Sequence, residues 1–198
     1  MKKLVVVLAA IASPALAAAQ QFTGSHKLDS LRAPEIFDNT DLFQDKFTRV
    51  GEDVFVAGQP TEKGLRELRD RGVKVIVSLR TPEEMRGIGF DEAAVASQLG
   101  MTYVNLPVRG NDKYPYSPQV VARFAQLLTN ADGPVLLHCT IGWRASHLWA
   151  AYLIKFRGVP VERALANARA INLMDDHHMS DRLPVEDFLG AKLGAFKP

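Results

Sequence analysis

The residue best suited to chemistry is Cys139, the only cysteine in a chain of 198 residues. It follows an apolar run at 135–137 and His138, and a short loop with Gly142 and Arg144 comes next. The residues after Arg144 have the composition of a long helix. This order of strand, loop and helix predicts a thiol at the mouth of a cradle of backbone N–H groups, a place that binds anions. The same cradle favours the thiolate over the thiol, so the pattern predicts a nucleophile.

A cysteine at the end of a buried strand is also compatible with a small core residue, because free cysteine is among the most buried residue types. The residues beside it favour the reactive interpretation. Gly142 permits close backbone approach or a positive φ, and Arg144 offers a planar fork for two oxygens of an anion. We therefore interpret Cys139 as a working thiol.

The start of the chain is typical of an export signal. Lys2 and Lys3 are followed by an apolar run at 4–11 that is too short to cross a bilayer, and then by two small-x-small cleavage sites at 15–17 and 17–19. An uncleaved membrane anchor is the alternative, and the tandem alanines disfavour it. We predict a signal peptide at 1–19 and a bacterial protein that is periplasmic or secreted.

The charge balance argues against a strongly basic binding surface. The formal net charge is +2 at neutral pH, and two of the lysines lie in the predicted signal. The mature chain is therefore near neutral, and we expect neither nucleic acid nor, after signal cleavage, a membrane as its partner. A lone cysteine cannot form a disulfide within the chain, which again favours a thiol that is used.

Strands and helices alternate along the chain. Apolar runs predict strands over 47–57, 73–79, 101–108 and 135–137, and helical periodicity predicts helices near 62–71, 90–99, 118–128, 144–156 and 160–171. This alternation predicts an α/β fold in three layers, with a mainly parallel central sheet flanked by helices. We assign an N-terminal arm to 20–46, with a short helical turn over 35–47, and one α/β domain to 47–198.

The Cys139 region and three other motifs resemble those of a known family. His138-Cys139, Gly142 and an arginine before Ser146 are similar to the active-site loop of cysteine-dependent protein tyrosine and dual-specificity phosphatases. Within that superfamily, about residues 50–173 resemble most the phosphatase-like domain of bacterial beta-lactamase-hydrolase-like proteins. The shared motifs are Gly58-Gln59-Pro60, Pro107-Val108 and Leu148-Trp149-Ala150. The resemblance implies a tyrosine phosphatase-like fold, a phosphorylated protein or a small phosphate monoester as substrate, and no cofactor.

The resemblance also implies roles for individual residues. Cys139 attacks phosphorus to form a thiophosphoryl intermediate, and Asp112, after the Pro-Val strand, protonates the leaving oxygen. His138 either orients the loop through hydrogen bonds or is a simple buried histidine. Ser146 either hydrogen-bonds the departing thiolate or only caps the helix. The phosphate oxygens are bound by the Arg144 side chain and by the amides of Thr140, Ile141, Gly142, Trp143, Arg144 and Ala145.

Several alternatives stay open. The phosphatases have five residues between cysteine and arginine, whereas four separate Cys139 from Arg144. Rhodanese-like sulfurtransferases resemble this shorter spacing and carry a persulfide, so sulfur transfer is an alternative, as is a non-catalytic anion-binding module. Asp112 is equally compatible with a turn residue. Arg80, just past the strand at 73–79, could face the anion site, but we favour a solvated loop charge. The two aspartates and two histidines at 175–178 lack the helical spacing of ligands, so we predict a solvated turn and no metal site.

Overall fold

A computed structural model describes residues 33–51, 53–174 and 183–196. The strands in these ranges are β1 (Glu35–Ile36), β2 (Phe47–Arg49), β3 (Val54–Ala57), β4 (Val75–Ser78), β5 (Thr102–Asn105) and β6 (Val135–His138). The α-helices are α1 (Glu62–Asp70), α2 (Pro82–Met85), α3 (Glu92–Gln98), α4 (Pro118–Asn130), α5 (Trp143–Arg157), α6 (Val161–Ile171) and α7 (Pro184–Leu189), and a 3-10 helix follows at Leu193–Ala195. The predicted alternation of strands and helices is confirmed.

The strands of the described residues form one mixed sheet in the order β1-β2-β3-β6-β4-β5. Neighbours from β3 to β5 are parallel, and β2 and β1 extend the β3 edge in antiparallel fashion. β6 therefore lies inside the parallel part of the sheet. This position agrees with its continuous apolar character, since strands covered on both faces need not alternate with polar residues.

The sheet separates two apolar layers. Alternate side chains of a strand point to opposite faces. Val135 and Leu137 accordingly pack with α4, α5, α6 and α7, while Leu136 packs on the other side with residues of α1 and α3. The three-layer α/β arrangement is thus confirmed.

Helix α5 supports the end of β6 from within the first of these layers. Its residues from Arg144 to Ile154 are all buried, as expected of a helix that is apolar nearly all round. It begins after Gly142, whose φ of +83° strains any residue with a Cβ atom. The predicted need for glycine at this position is confirmed, and the N-terminus of α5 is fixed beside Cys139.

Two local predictions are wrong. The single strand expected over 47–57 is a hairpin of β2 and β3, because the chain reverses near Gly51, where φ is +76°. The helical turn expected over 35–47 does not form either: β1 pairs with β2, and Phe43 bridges Pro60. Residues 35–47 therefore extend the sheet edge through β1 and the Phe43 bridge. Helix α7 was not predicted, because the residues around it show no clear periodicity.

Two sequence predictions concern residues outside the described ranges. These are the signal peptide at 1–19 and the acidic and histidine cluster at 175–178. Within the described ranges, none of the helices has both the length and the apolar character that a membrane span requires.

Candidate active site

The carboxyl ends of the parallel strands lie side by side. Ala57 of β3 and Ser78 of β4 are both register partners of His138 at the end of β6, and Ser78 is also the partner of Asn105 in β5. The loops that follow these strands meet at the carboxyl ends of the strands. In open α/β sheets ligands bind at these carboxyl ends, so the topology places the Cys139 loop (residues 139–145) where a site is expected.

Three carbonyls of the Cys139 loop are bound by groups outside it. The groups are His138 Nδ1, the Gln59 backbone N–H and the Asn172 side-chain amide, which contact the carbonyl oxygens of Cys139 (3.3 Å), Thr140 (2.8 Å) and Ile141. Gln59 belongs to the Gly-Gln-Pro turn after β3, and Asn172 lies at the C-terminus of α6. The loop is therefore held by residues that follow β3 and α6. The contact of His138 Nδ1 is compatible with an orienting role, which stays a prediction.

Ser146 binds the next two carbonyls. Its N–H donates to Gly142 O at 2.9 Å, and its hydroxyl donates to Trp143 O at 2.7 Å. The hydroxyl of Ser146 thus bonds back to a carbonyl of its own helical turn and does not cap α5, whose N-cap, Gly142, has no side-chain cap hydrogen bond. The Trp143 ring lies 4.7 Å from that of His147, edge to face, on the same turn.

The anchored carbonyls determine where the loop amides point. A planar trans peptide directs its C=O and the following N–H to opposite sides, so carbonyls held outward turn the next amides inward. Among the described residues, no hydrogen-bond acceptor is found for the N–H groups of Thr140, Ile141, Gly142, Arg144 and Ala145. Free amides at a helix N-terminus form an anion-binding cradle. The loop thus has the geometry to bind a phosphate-like anion.

Cys139 lies at the base of this cradle. Only 1% of the surface of Cys139 is exposed, so the thiol is buried. The sequence had predicted it at the mouth of the cradle, and that position is wrong. The reason is the register: Cys139 directly continues β6, and its N–H reaches Ala57 O of β3 at 3.4 Å. A ligand would therefore have to enter the cradle to reach the sulfur.

Arg144 lies in the wall of the site and is 7% exposed. Its Nη1 and Nη2 pair with the two carboxylate oxygens of Glu84 at 3.0 and 2.8 Å, and Nη1 also donates to Val108 O at 2.7 Å. Nη2 lies 3.2 Å from Thr140 Oγ1. We expected this guanidinium at the rim with its fork open to an anion, and instead its fork is occupied by Glu84. A protein acceptor for the Arg144 Nε–H is absent from the described residues, so Nε is the donor left for a ligand.

The charge of Arg144 is firmly fixed. Burial alone would lower the pKa of its guanidinium, but the hydrogen bonds that it donates to Glu84 and its charge interactions with Cys139 and Glu84 together raise it. Burial would likewise raise the pKa of the Glu84 carboxyl, and the hydrogen bonds from Arg144 and Thr81 lower it overall. The site therefore contains a stable ion pair beside the cysteine.

Glu84 is a site residue that sequence reasoning missed. It forms a reciprocal capping box with Thr81 at the start of α2, and its Oε1 also accepts from Arg109 at 2.7 Å. The signal was present: Thr81-Pro82-Glu83-Glu84 after a strand is the Ser/Thr-x-x-Glu pattern of a capping box. The pattern predicts a helix start, but only the fold places Glu84 against Arg144.

Arg80 also departs from its prediction. It is not a solvated charge, because Nη1 donates to Gln59 Oε1 at 2.8 Å and Nη2 to Glu84 O at 3.1 Å. Arg80 therefore ties the loop after β4 to the Gly-Gln-Pro turn. The same turn also binds the Cys139 loop, because the Gln59 N–H donates to the Thr140 carbonyl.

Asp112 lies on the exposed tip of the loop between β5 and α4, and its carboxylate has no partner among the described residues. The neighbouring residues hold the loop in place: Lys113 Nζ contacts Glu83 at 2.8 Å, and Tyr114 OH lies 3.2 Å from the same carboxylate. The Lys113 hydrogen bond lowers the pKa of Glu83 to about 2. The loop between β5 and α4 is thus tethered to α2 through Glu83, which is next to Glu84, the residue that binds Arg144. The general-acid role of Asp112 stays a prediction.

Tyr116 connects this loop with the cradle. Burial, together with the negative charges of Cys139 and Glu84, raises the pKa of its phenol to about 12, against the opposing charges of Arg144 and Arg109. Its ring lies over Gly110, so close that a Cβ atom there would be 2.5 Å from it. Tyr116 therefore forms a neutral wall of the site near the sulfur.

A substitution at Gly58 can test whether the Gly-Gln-Pro turn supports the cradle. An added Cβ would lie 1.6 Å from Gln44 O and 2.9 Å from Thr140 O, both backbone atoms that cannot move aside. We expect Gly58→Ala to lower the free energy of unfolding by about 3 kcal/mol and to reduce anion binding. As a control, Gly72→Ala should cost about 1 kcal/mol, from its positive φ alone. Equal effects of the two changes in chemical denaturation would contradict this role.

Comparison with known proteins agrees with the geometry. Residues 37–185 match the family described as DSP-PTPase phosphatase fused to NAD+ kinase. A beta-lactamase hydrolase-like protein of Agrobacterium fabrum is 32% identical over 106 residues, which are 52% of this chain and 24% of that protein. A similar match to a beta-lactamase hydrolase-like protein of Xylella fastidiosa is 31% identical over 107 residues. The chain thus matches about a quarter of the length of these relatives.

Solved structures give the same result for the fold. P. aeruginosa TpbA superposes with a TM-score of 0.57 at 20% identity, over 83% of this chain and 94% of that one. A candidate phosphatase of Neisseria meningitidis has a TM-score of 0.51 at 27% identity, over 60% and 83% of the two chains. The fold is therefore that of the tyrosine and dual-specificity phosphatases. Because the family match spans most of the chain, this protein belongs to the family described as DSP-PTPase phosphatase fused to NAD+ kinase.

Proposed function

We propose that the protein is an exported hydrolase of phosphate monoesters that uses Cys139 as its nucleophile. One observation supports this most: five backbone amides of the Cys139 loop have no acceptor among the residues that the structure describes, and a guanidinium lies beside the cysteine of the same loop. Such donors are placed where charge develops on a transferring phosphoryl group. Its substrate is a phosphorylated protein or a small-molecule monoester.

The reaction proceeds in two steps. The Cys139 thiolate attacks phosphorus, the P–O bond to the alcohol breaks, and the leaving oxygen takes a proton from Asp112. Water then attacks the thiophosphoryl group while Asp112 removes a proton from it, which releases inorganic phosphate and restores the thiolate. The loop amides and the Arg144 Nε–H stabilise the equatorial oxygens in both steps.

Sulfur transfer is the second candidate, and the four residues between Cys139 and Arg144 favour it. The test is to offer one preparation of protein an aryl phosphate and, separately, thiosulfate with cyanide as acceptor. We expect phosphate release from the first and no thiocyanate from the second. Thiocyanate formation without phosphate release, with one added sulfur on Cys139, would establish the sulfurtransferase. Anion binding without either reaction would indicate that the protein is a non-catalytic anion-binding module.

Asp112 can be tested as the general acid. We expect Asp112→Asn to lower kcat by about 10²–10⁴-fold on an alkyl phosphate, because proton transfer to a poor leaving group then has no donor. The loss should be much smaller on p-nitrophenyl phosphate, whose leaving group needs no proton. Asp132→Asn, a change of the same kind at an exposed turn, serves as control. An equal loss on both substrates would argue against proton donation.

Export is part of the proposal, and it is based on the basic and apolar start of the sequence. Expression of the full chain in a bacterium should yield a periplasmic protein that lacks about the first nineteen residues. An N-terminal sequence that begins at Met1 in the cytoplasmic fraction would contradict it.

A further inference from the structure

A short segment before β2 contacts the groups that hold the Cys139 loop. This segment, residues 44–46, was assigned from the sequence to the N-terminal arm. Two backbone hydrogen bonds of 2.8 Å join it to the Gly-Gln-Pro turn, from Gln44 N to Gln59 O and from Gly58 N to Lys46 O. The same turn donates to the loop, so the segment supports one of the loop anchors.

Asp45, the middle residue of this segment, contacts a second anchor of the loop. Its Oδ2 accepts from Asn172 Nδ2 at 3.2 Å, and the same nitrogen donates to the Ile141 carbonyl. Asn172 is only 7% exposed, and these two contacts use both N–H bonds of its amide. A carboxylate and a carbonyl only accept, so the nitrogen of the amide, and not its oxygen, must face them. The two partners together therefore fix the orientation of the Asn172 side chain.

Asp45 is held by contacts that do not involve the oxygen facing Asn172. The Asn39 side chain donates to the backbone carbonyl of Asp45, and Asp45 Oδ1 lies 3.6 Å from Lys46 Nζ. The φ angle of Asp45 is +69°, in the left-handed region that aspartate and asparagine adopt more readily than most residues. The backbone thus presents Oδ2 to Asn172.

The Ile141 carbonyl determines the direction of one amide of the cradle. In a planar trans peptide the C=O and the following N–H point in opposite directions, so the bond from Asn172 turns the Gly142 N–H away from Asn172. That N–H has no acceptor among the residues that the structure describes. A Cβ atom added to Gly142 would lie 3.7 Å from Asn172 Cβ, so the two residues are direct neighbours. A change in the orientation of Asn172 therefore acts on this peptide first.

We propose that Asp45 is a positioning residue of the active site, which orients the amide of Asn172. The oriented amide holds the Ile141 carbonyl outward and keeps the Gly142 N–H available to a phosphoryl oxygen. Asp45 touches no substrate and acts through Asn172, so segment 44–46 belongs to the scaffold of the site. The inference rests on the proposed function for its catalytic meaning, and the tests below require no turnover.

The first test is the binding of inorganic phosphate, measured by calorimetry on folded variants. We expect Asn172→Ala to weaken binding about tenfold and Asp45→Ala about threefold, because each removes hydrogen bonds that hold the loop. Asp45→Asn removes the charge but keeps an acceptor, so it should bind phosphate like the unmodified protein. Asp41→Ala is the matched control, since it removes the same side chain at a φ of +61°, and it should change nothing.

A double variant tests whether Asp45 acts through Asn172. Once residue 172 is alanine, Asp45→Ala should weaken phosphate binding no further, because the two changes remove the same interaction. A purely structural role of Asp45 would instead give the same threefold loss in both backgrounds, and that result would overturn the proposal. Unchanged binding in Asp45→Ala, or an equal loss in Asp45→Asn, would also overturn it.

A second measurement uses the unmodified protein, so it does not depend on the folding of any variant. By NMR, both side-chain amide protons of Asn172 should exchange with solvent at least about tenfold more slowly than those of Asn130, which is exposed. Equal exchange rates would overturn the proposal. If the unmodified protein bound no phosphate, the proposed function would fail, and the exchange rates would still decide this inference.

Discussion

Replacement of Cys139 by serine is expected to lower hydrolysis of p-nitrophenyl phosphate by roughly 10⁴-fold or more. A serine hydroxyl at the base of the cradle is a far weaker nucleophile than a thiolate, and no other nucleophile replaces it in the proposed mechanism. Steady-state hydrolysis by the two proteins, at equal concentration, measures the effect.

Phosphate binding is the control for Cys139→Ser. The amides of the loop are positioned by their carbonyl anchors and not by the sulfur, so the variant should still bind inorganic phosphate in calorimetry. Retained hydrolysis with intact folding would show that Cys139 is not the nucleophile. Loss of both hydrolysis and phosphate binding would show a collapsed cradle, which contradicts the account of how the loop is held.

Arg144→Lys is expected to lower kcat/KM by about 10³-fold, within the range seen for arginines that stabilise a transferring phosphoryl group. Lysine keeps the charge but has neither the planar fork that pairs with Glu84 nor the Nε–H that remains for the ligand. Kinetics on an aryl phosphate, together with thermal unfolding, measure the change.

The matched control is Arg66→Lys, at an exposed ion pair with Glu62 on α1. This pair is solvent-exposed and contributes little, so neither activity nor melting temperature should change measurably. If Arg144→Lys keeps full activity, the guanidinium serves only to bind Glu84. If it loses activity in proportion to its loss of folded protein, Arg144 is structural.

The elements that build the site were predictable from local patterns. The apolar run of β6, the need for glycine at Gly142 and the apolar surface of α5 all follow from short-range rules, and the structure agrees with each. The hairpin at 47–57 was missed because an apolar run with a glycine inside it does not reveal where the chain reverses.

The partners of the loop were not predictable for a different reason. Glu84 and Asn172 contact residues 60 and 31 positions away in the chain. Each is an ordinary polar residue at a helix end or start, where such residues are common for capping alone. Only the strand order, which brings β3 and β4 against β6, assigns them to the site.

The most direct test of the central claim is to trap the reaction of the wild-type protein with an aryl phosphate by rapid acid quench and to analyse the peptides by mass spectrometry. The account predicts that the peptide with Cys139 gains the mass of one phosphoryl group, and that this species disappears as phosphate is released. Rapid turnover with an unmodified Cys139 peptide at every time point, or with the phosphoryl group on another residue, would contradict it.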